Sequence, residues 1–314
     1  MGMNLLLVDA HSLGYFCQQG ATLTAGGRQV QAIFGMLRNI RKYCRELNAR
    51  PYVLWDGEPI KRPAFYPEYK GKRSDNPKLK EMRIQFRQQR DDIKLMLSLL
   101  GVRQLVAHDG EADDLAGMLC RRFKSHVEHI YLYTGDNDWL TLLDDNVSLL
   151  NVRKDEITRL SYLGEKTGLQ TPRQYLEFKA LVGDKSDEID GVGGIGESGA
   201  LELLNECGSV IEFVKKARSG EITVDDFKGR GRRKYFALAN NEFNKKVEMG
   251  MLDIFRRNVK LMNLADLEMM PENIETIPPR YDEAEFENKC LELSFQSIVD
   301  EIEVFVTPFK RFCL

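Results

Sequence analysis

Ile130-Tyr131-Leu132-Tyr133-Thr134-Gly135-Asp136-Asn137-Asp138 is a short apolar run that closes on a turn and two carboxylates. Its length and its aromatic and β-branched content read as a buried strand, and its polar tail as the loop leaving it. Leu5-Leu6-Leu7-Val8-Asp9 and Tyr52-Val53-Leu54-Trp55-Asp56-Gly57 have the same form. Helical patterns lie between them, for example Ile33, Leu37, Ile40 and Tyr43 to Cys44, so the alternation is βαβ. Such a chain is α/β, with a mostly parallel central sheet. Parallel strands bring their carboxyl ends to one edge, where open α/β sheets build their sites. Asp9, Asp56, Asp136 and Asp138 are expected to meet there.

Two further acidic clusters point to the same edge. Gly110-Glu111-Ala112-Asp113-Asp114 precedes a helix that reads Leu115, Met118, Leu119 and Phe123. Taken alone, acids in a first helical turn need only complement the macrodipole. Gly183-Asp184-Lys185-Ser186-Asp187 is the other cluster. Nine carboxylates on one edge repel each other and shift their pKa values upward unless cations are bound. Oxygen donors without His or Cys suit Mg2+ or Mn2+ rather than zinc. So many acids would most naturally hold two ions about 3.5 to 4 Å apart, as in phosphodiester hydrolysis.

The chain has 314 residues, about two domains at roughly 150 residues each, and its 43% hydrophobic content is enough for a real core. Apolar stretches such as Leu95 to Leu100 fall far short of the roughly 18 residues of a membrane span. No signal peptide or membrane association is expected. Leu6 stands where a myristoylation motif wants Ser or Thr. Six scattered cysteines without CxxC spacing fit a reducing, cytoplasmic setting with free thiols.

The net charge of -3 conceals an uneven distribution. Asp266 to Glu303 carries twelve acids and two bases, whereas the chain before it is mildly basic. Residues 61–94 hold eleven bases and five acids. Lys80, Arg83, Arg87, Arg90 and Lys94 follow helical spacing, and Met82, Phe86, Ile93, Leu97 and Leu100 form a separate stripe. One face packs and the other presents positive charge. By itself this would be a solvated charged helix, but it leaves the sheet directly after Asp56 and so starts beside the acidic edge.

Gly191-Val192-Gly193-Gly194-Ile195-Gly196 formally matches the dinucleotide fingerprint, yet it follows a helix and an acidic turn rather than a first strand. A glycine turn between two helices fits a hairpin whose backbone N–H groups grip a DNA phosphate, the alternative being a plain interhelical turn. Lys228-Gly229-Arg230-Gly231-Arg232-Arg233-Lys234 lies beyond it and is suited to duplex backbone.

The ordered set VDA, WDG, Tyr69-Lys70-Gly71-Lys72-Arg73, GEADD, TGDNDW and LVGDKSDEIDGVGGIG resembles the 5′-nuclease family, from about Asn4 to Leu267. That family includes flap endonucleases, the 5′-exonuclease domain of bacterial DNA polymerase I and phage 5′–3′ exonucleases. The resemblance implies a PIN-like core, a helical arch and a helix-three-turn-helix element that binds duplex DNA, with a potassium ion at the glycine loop. It divides the chain into a nuclease core over 1–180 with its arch at about 58–100, a DNA-binding region over 181–265 and an acidic extension over 266–314. It implies that Asp9, Asp56, Glu111 and Asp113 hold one ion and Asp113, Asp136, Asp138 and Asp184 a second, with Asp114 and Asp187 in or near the outer shell. Lys70 and Arg73 would act on the scissile phosphate and Tyr69 would stack on a nucleotide. Lys72, Arg83, Arg87, Gly191, Gly193, Gly194, Gly196, Arg230, Arg232 and Arg233 would bind substrate.

The implied activity is a 5′–3′ exonuclease and flap endonuclease of replication and primer removal, with two Mg2+ or Mn2+ ions. Its partner is DNA with a free 5′ end: a flap, nick, gap or RNA-primed duplex. A single-stranded-DNA-binding protein or a polymerase would be the protein partner, and the chain would act as a monomer. The family's VDG is VDA here, Phe16 replaces a common Arg, and Ser198 stands where a Lys is frequent. The compact arch and the lack of a polymerase region point to the phage type. Two rival readings share part of the pattern. An inactive DNA-binding paralogue would not need acids at every ligand position, and a PIN-domain ribonuclease would need neither the basic segment nor the glycine hairpin. His11 has no partner at suitable spacing and reads as structural.

Overall fold

Along strand β1 (Asn4–Asp9), Leu6 and Val8 enter one apolar layer and Leu5 and Leu7 the other. Burial on both faces explains why this strand is an unbroken apolar run. The computed structural model describes residues 2–71, 76–229, 231–265 and 269–312, so Lys72, Arg73 and Arg230 lie outside the described residues. The other strands of the central sheet are β2 (Ala49–Trp55), β3 (Arg103–Ala107), β4 (His129–Thr134), β5 (Val147–Asn151), β6 (Glu156–Thr158) and β7 (Ile274–Ile277). Their order is β7-β3-β2-β1-β4-β5-β6, with parallel pairing from β3 through β5 and an antiparallel strand at each end. Asp9 is in register with Leu54 and Val8 with Tyr133, so the β1, β2 and β4 carboxyl ends coincide.

Helices α1 (Ala10–Gln18), α2 (Gln31–Glu46) and α4 (Pro77–Leu99) cover one face, with the short α3 (Lys61–Phe65) preceding α4; α5 (Ala112–Phe123) lies on the other. Gly57 exists for a close approach. A Cβ there would fall 1.5 Å from the Ala107 carbonyl oxygen, so only glycine lets the chain leave β2 past the end of β3.

The arch expected over 58–100 is shorter than that span. From Phe86 onward α4 belongs to the core: Phe86, Ile93, Met96, Leu97 and Leu99 are buried. Gln89 accepts from the backbone N–H of Ala32 at 2.9 Å, serving the start of α2 from another helix. An apolar stripe at helical spacing docks α4, so no arch extends from Phe86 to residue 100.

After the sheet come α6 (Pro172–Val182), α7 (Glu197–Cys207), α8 (Val210–Ser219), α9 (Arg232–Ala239) and α10 (Met251–Met262), which enclose a separate apolar cluster. That cluster already includes Leu169 and Ala180, so the expected boundary at 180/181 falls inside α6. The expected 266–314 extension is also built into the fold. Strand β7 pairs with β3, and α11 (Glu283–Glu292) and α12 (Ile302–Lys310) bury Phe286, Cys290, Phe305, Val306 and Phe309 in the same core as α1, α2 and α4. Cys17, Cys44, Cys120, Cys207 and Cys290 are free thiols. Among the described residues no helix is long and apolar enough to cross a membrane.

Candidate active site

The carboxyl edge of the sheet gathers the acids because each follows a strand or opens a helix. Asp9 ends β1 and caps α1, accepting from Ser12 N at 2.9 Å, and Thr134 Oγ1 donates to its other oxygen at 2.7 Å. Asp56 follows β2 and accepts from Ala112 N at 2.8 Å, which ties it to the start of α5. Asp136 follows β4 and accepts from Asp138 N at 2.8 Å. Asp113 lies in the first turn of α5, where the buried Trp139 donates Nε1–H to it at 2.6 Å.

Their electrostatics follow from that placement. Burial, with the neighbouring Asp56 charge, pushes Asp9 up to about 6. Burial and then Asp138 push Asp136 up to about 6. Burial, followed by Asp136, Glu111, Asp9 and Asp56, raises Asp113 well above the usual carboxylate range. These acids lack sufficient positive charge, and their donor atoms are all oxygen. The residues present therefore fit hard divalent ions.

The remaining acids already have cations. Burial acts to raise Glu111, but Lys70 at 2.5 Å and Arg62 at 2.9 Å hold it below its ordinary value, and Tyr69 donates to it at 2.6 Å. Burial likewise opposes Asp184, yet Lys179 at 2.6 Å keeps it down at about 2. Lys179 also contacts Asp138. Oxygens of Asp138, Asp184 and Asp187 lie within 4.8 Å of one another, a spacing open to a metal ion. Asp187 groups with Asp138 and Asp184, and burial raises its pKa despite Lys70.

The contacts define the places of Asp114 and Tyr69. Asp114 is buried and directed at Arg62, with both oxygens taken by the guanidinium at 2.9 and 2.6 Å; it also caps Glu111 N at 2.9 Å. It fixes the loop that carries Glu111, and its oxygens face Arg62 rather than the open edge. Tyr69 is only 6% exposed and packs with Tyr66, Leu176, Ile189, Leu261 and Met262. A ring enclosed on this scale presents no face for a base, and its hydroxyl serves Glu111. Lys70 does reach the acidic edge, from a left-handed backbone (φ 54°) whose N–H donates to Asp187 O at 3.1 Å.

Three participants were not recognised from the sequence. Arg62 reads there as one base among eleven, but it is buried and also donates Nε–H to Leu261 O at 3.1 Å, joining the arch to α10. Lys179 gave no signal beyond its place five residues before Asp184. His11 gains a partner from another strand: its Nδ1 stands 3.1 Å from Asp56 Oδ2, with Tyr15, Trp55 and Phe86 around the ring.

On α4, Arg87 is exposed and Arg83 half-buried. Away from the acids, Gly193 and Gly194 have φ of 86° and 73°, the left-handed region that favours glycine, and Gly196 caps α7. Gly191, Gly193, Gly194, Gly196, Asn244 and Lys246 line an open cavity of about 270 Å3. The Lys234 side chain lies against Gly194, which places the second basic run beside the glycine turn; Arg233 is exposed, while Arg232 donates to Phe227 O at 3.1 Å. Phe16 is half-buried against the core, and Ser198 is exposed in the first turn of α7.

A pH dependence follows from Asp9 and Asp136. Both lose their protons near 6 in the metal-free fold, against about 3.8 for the ordinary group. Between those values the fold keeps protons that the unfolded chain sheds, so stability falls as pH rises from about 4 to about 6. Mn2+ should therefore raise the melting temperature more at pH 7.5 than at pH 5. Scanning fluorimetry against an EDTA control reads this; an equal rise at both pH values would contradict it.

The family model "5′-3′ exonuclease, N-terminal resolvase-like domain" matches residues 4–168, and "5′-3′ exonuclease, C-terminal SAM fold" matches residues 170–281. The thermostable DNA polymerase I of Thermus filiformis is 36% identical over 213 residues, which is 67% of this chain and 25% of the polymerase. The chain thus spans about a quarter of the length of the curated relatives it matches. Among solved structures, zinc-bound T5 5′-exonuclease aligns with a TM-score of 0.68 at 21% identity, covering 99% of this chain and 100% of that one. The T5 D15 flap endonuclease in a pseudo-enzyme-product complex with DNA and metal ions aligns at 0.67 and 21%, covering 99% of each. These two similarities concern the fold.

Proposed function

Because the chain belongs to the 5′-3′ exonuclease family, we propose that it hydrolyses DNA phosphodiester bonds next to a free 5′ end, as exonuclease and flap endonuclease. The observation that carries this reading is the set of under-compensated carboxylates at Asp9, Asp113 and Asp136, buried, half-buried and exposed in turn, on the same sheet edge as the Asp138, Asp184 and Asp187 group. Asp9, Asp56, Glu111 and Asp113 would hold one Mg2+ or Mn2+ ion, and Asp113, Asp136, Asp138, Asp184 and Asp187 a second. When bound, such ions supply an activated water and charge for the leaving oxygen.

The chain's own residues supply the rest. Thr134 and Ser12 hold Asp9, and Trp139 holds Asp113, so these carboxylates cannot turn away from the phosphate. Lys70, paired with Glu111, neutralises charge that develops on the scissile phosphate, and Arg73 joins it. The glycine turn and Arg232 and Arg233 hold the adjoining duplex by its backbone, with K+ as the ion suited to the turn. Arg83 and Arg87 line the path of a single strand. A DNA polymerase or a single-stranded-DNA-binding protein is the partner such substrates imply. The reading places the chain in the cytoplasm.

Arg62, Tyr66 and Tyr69 pack down beside the acidic edge and Phe86 enters the core, so a single strand that reaches the acids would pass beneath the chain joining them, entering from its free end. A bulky block bound to the 5′ end of a flap before the protein is added should stop cleavage. The same block added afterwards should trap the complex. Efficient cutting of a pre-blocked flap or a closed single-stranded circle would contradict passage of a free end.

A further inference from the structure

Asp184 uses its two oxygens differently. Oδ1 accepts from its own turn: Ser186 N at 2.8 Å, Ser186 Oγ at 2.5 Å and Asp187 N at 3.3 Å. Oδ2 is turned to Lys179 at 2.6 Å, and the same ammonium contacts Asp138 Oδ1. The Lys179 side chain is only 13% exposed. A cation therefore sits between two members of the acidic group whose oxygens are spaced for an ion. Lys179 projects from α6, whose start is fixed by the Thr171 and Gln174 capping box and whose body packs on α10 and on the 137–142 turn. The helix is held while the flexible four-carbon stem lets the ammonium turn.

We propose that Lys179 is an internal counter-cation for the second ion position: it fills that position when no divalent ion is present, and an entering ion must turn it out. The inference rests on the two-ion reading above. Two consequences follow. The metal-free edge stays folded because Asp138 and Asp184 are neutralised from within. The second ion binds more weakly than the first, because its arrival breaks two ion pairs that the first leaves intact.

Mn2+ titration of the full chain, followed by calorimetry and by the electron paramagnetic resonance of free Mn2+, tests this. Wild type should show a tighter and a weaker site. Lys179→Met should tighten the weaker site by about tenfold or more, since a competing charge is gone, and leave the tighter site unchanged. In EDTA its melting temperature should fall, and Mn2+ should restore it. Lys179→Arg should keep the wild-type pattern, and Lys179→Gln should repeat the Met result if the Met variant folds poorly. A weaker site unchanged or further weakened in Lys179→Met and Lys179→Gln would overturn the role of Lys179 while leaving two ions in place. A single ion in wild type and variants alike would overturn the two-ion reading and this inference with it.

Discussion

Asp136→Asn should nearly abolish cleavage while leaving DNA affinity intact or tighter. The amide oxygen can still accept from Asp138 N, the bond that shapes the turn after β4, so the fold is preserved. What disappears is one negative charge from a group whose pKa desolvation and Asp138 have pushed up to about 6. Loss of that charge removes an ion ligand and reduces repulsion of the phosphate. It should also raise the metal-free melting temperature, because an ionised acid held in a poor environment is a cost to the fold. Gel-based turnover, DNA binding in Ca2+ and scanning fluorimetry in EDTA read the three effects. Retention of more than about a tenth of wild-type turnover, a barrier change of only about 1.4 kcal/mol, would contradict a ligand role.

Lys70→Ala should lower turnover by about 10² to 10³, the usual loss for one electrostatic donor, with little change in duplex affinity. Burial alone would lower the pKa of this lysine, yet Glu111 and Asp187 raise it, so the ammonium is charged wherever the acids are. Glu111 retains Arg62 and Tyr69 in the variant, so the site should not collapse. Alanine at Arg232 and Arg233 should do the reverse, weakening binding and flattening its salt dependence while sparing single-turnover chemistry. If both variants lost affinity alone, the division between the acidic edge and the glycine turn would be wrong.

The strand ends were legible because a buried parallel strand leaves an apolar run and its exit leaves a turn, and both marks are local. That is why Asp9, Asp56, Asp136 and the two loop clusters could be placed on one edge from the chain alone. Pairings across the fold leave no such mark. Lys179 faces Asp138 from 41 residues away, Arg62 faces Asp114 across 52, and His11 meets Asp56 across the β1–β2 pairing. Tyr69 was misread for a related reason. The family resemblance alone implies stacking, whereas apolar neighbours from α6 and α10, distant in sequence, enclose it. The last fifty residues look like an acidic tail because charge dominates their composition. Ile274 and Ile277 in β7, with Phe286 and Cys290 in α11, are sparse apolar positions that suffice to bring the segment into the sheet and core.

With divalent ions bound, this acidic edge should cut DNA beside a free 5′ end. An end-labelled flap duplex incubated with the protein in Mg2+ tests it most directly, with product sizes resolved on a denaturing gel. Labelled fragments cut at or near the junction are expected, together with short products from the 5′ end, and none of either in EDTA. Intact flap in Mg2+ and Mn2+, or equal cleavage of single-stranded RNA that contains no duplex, would contradict it.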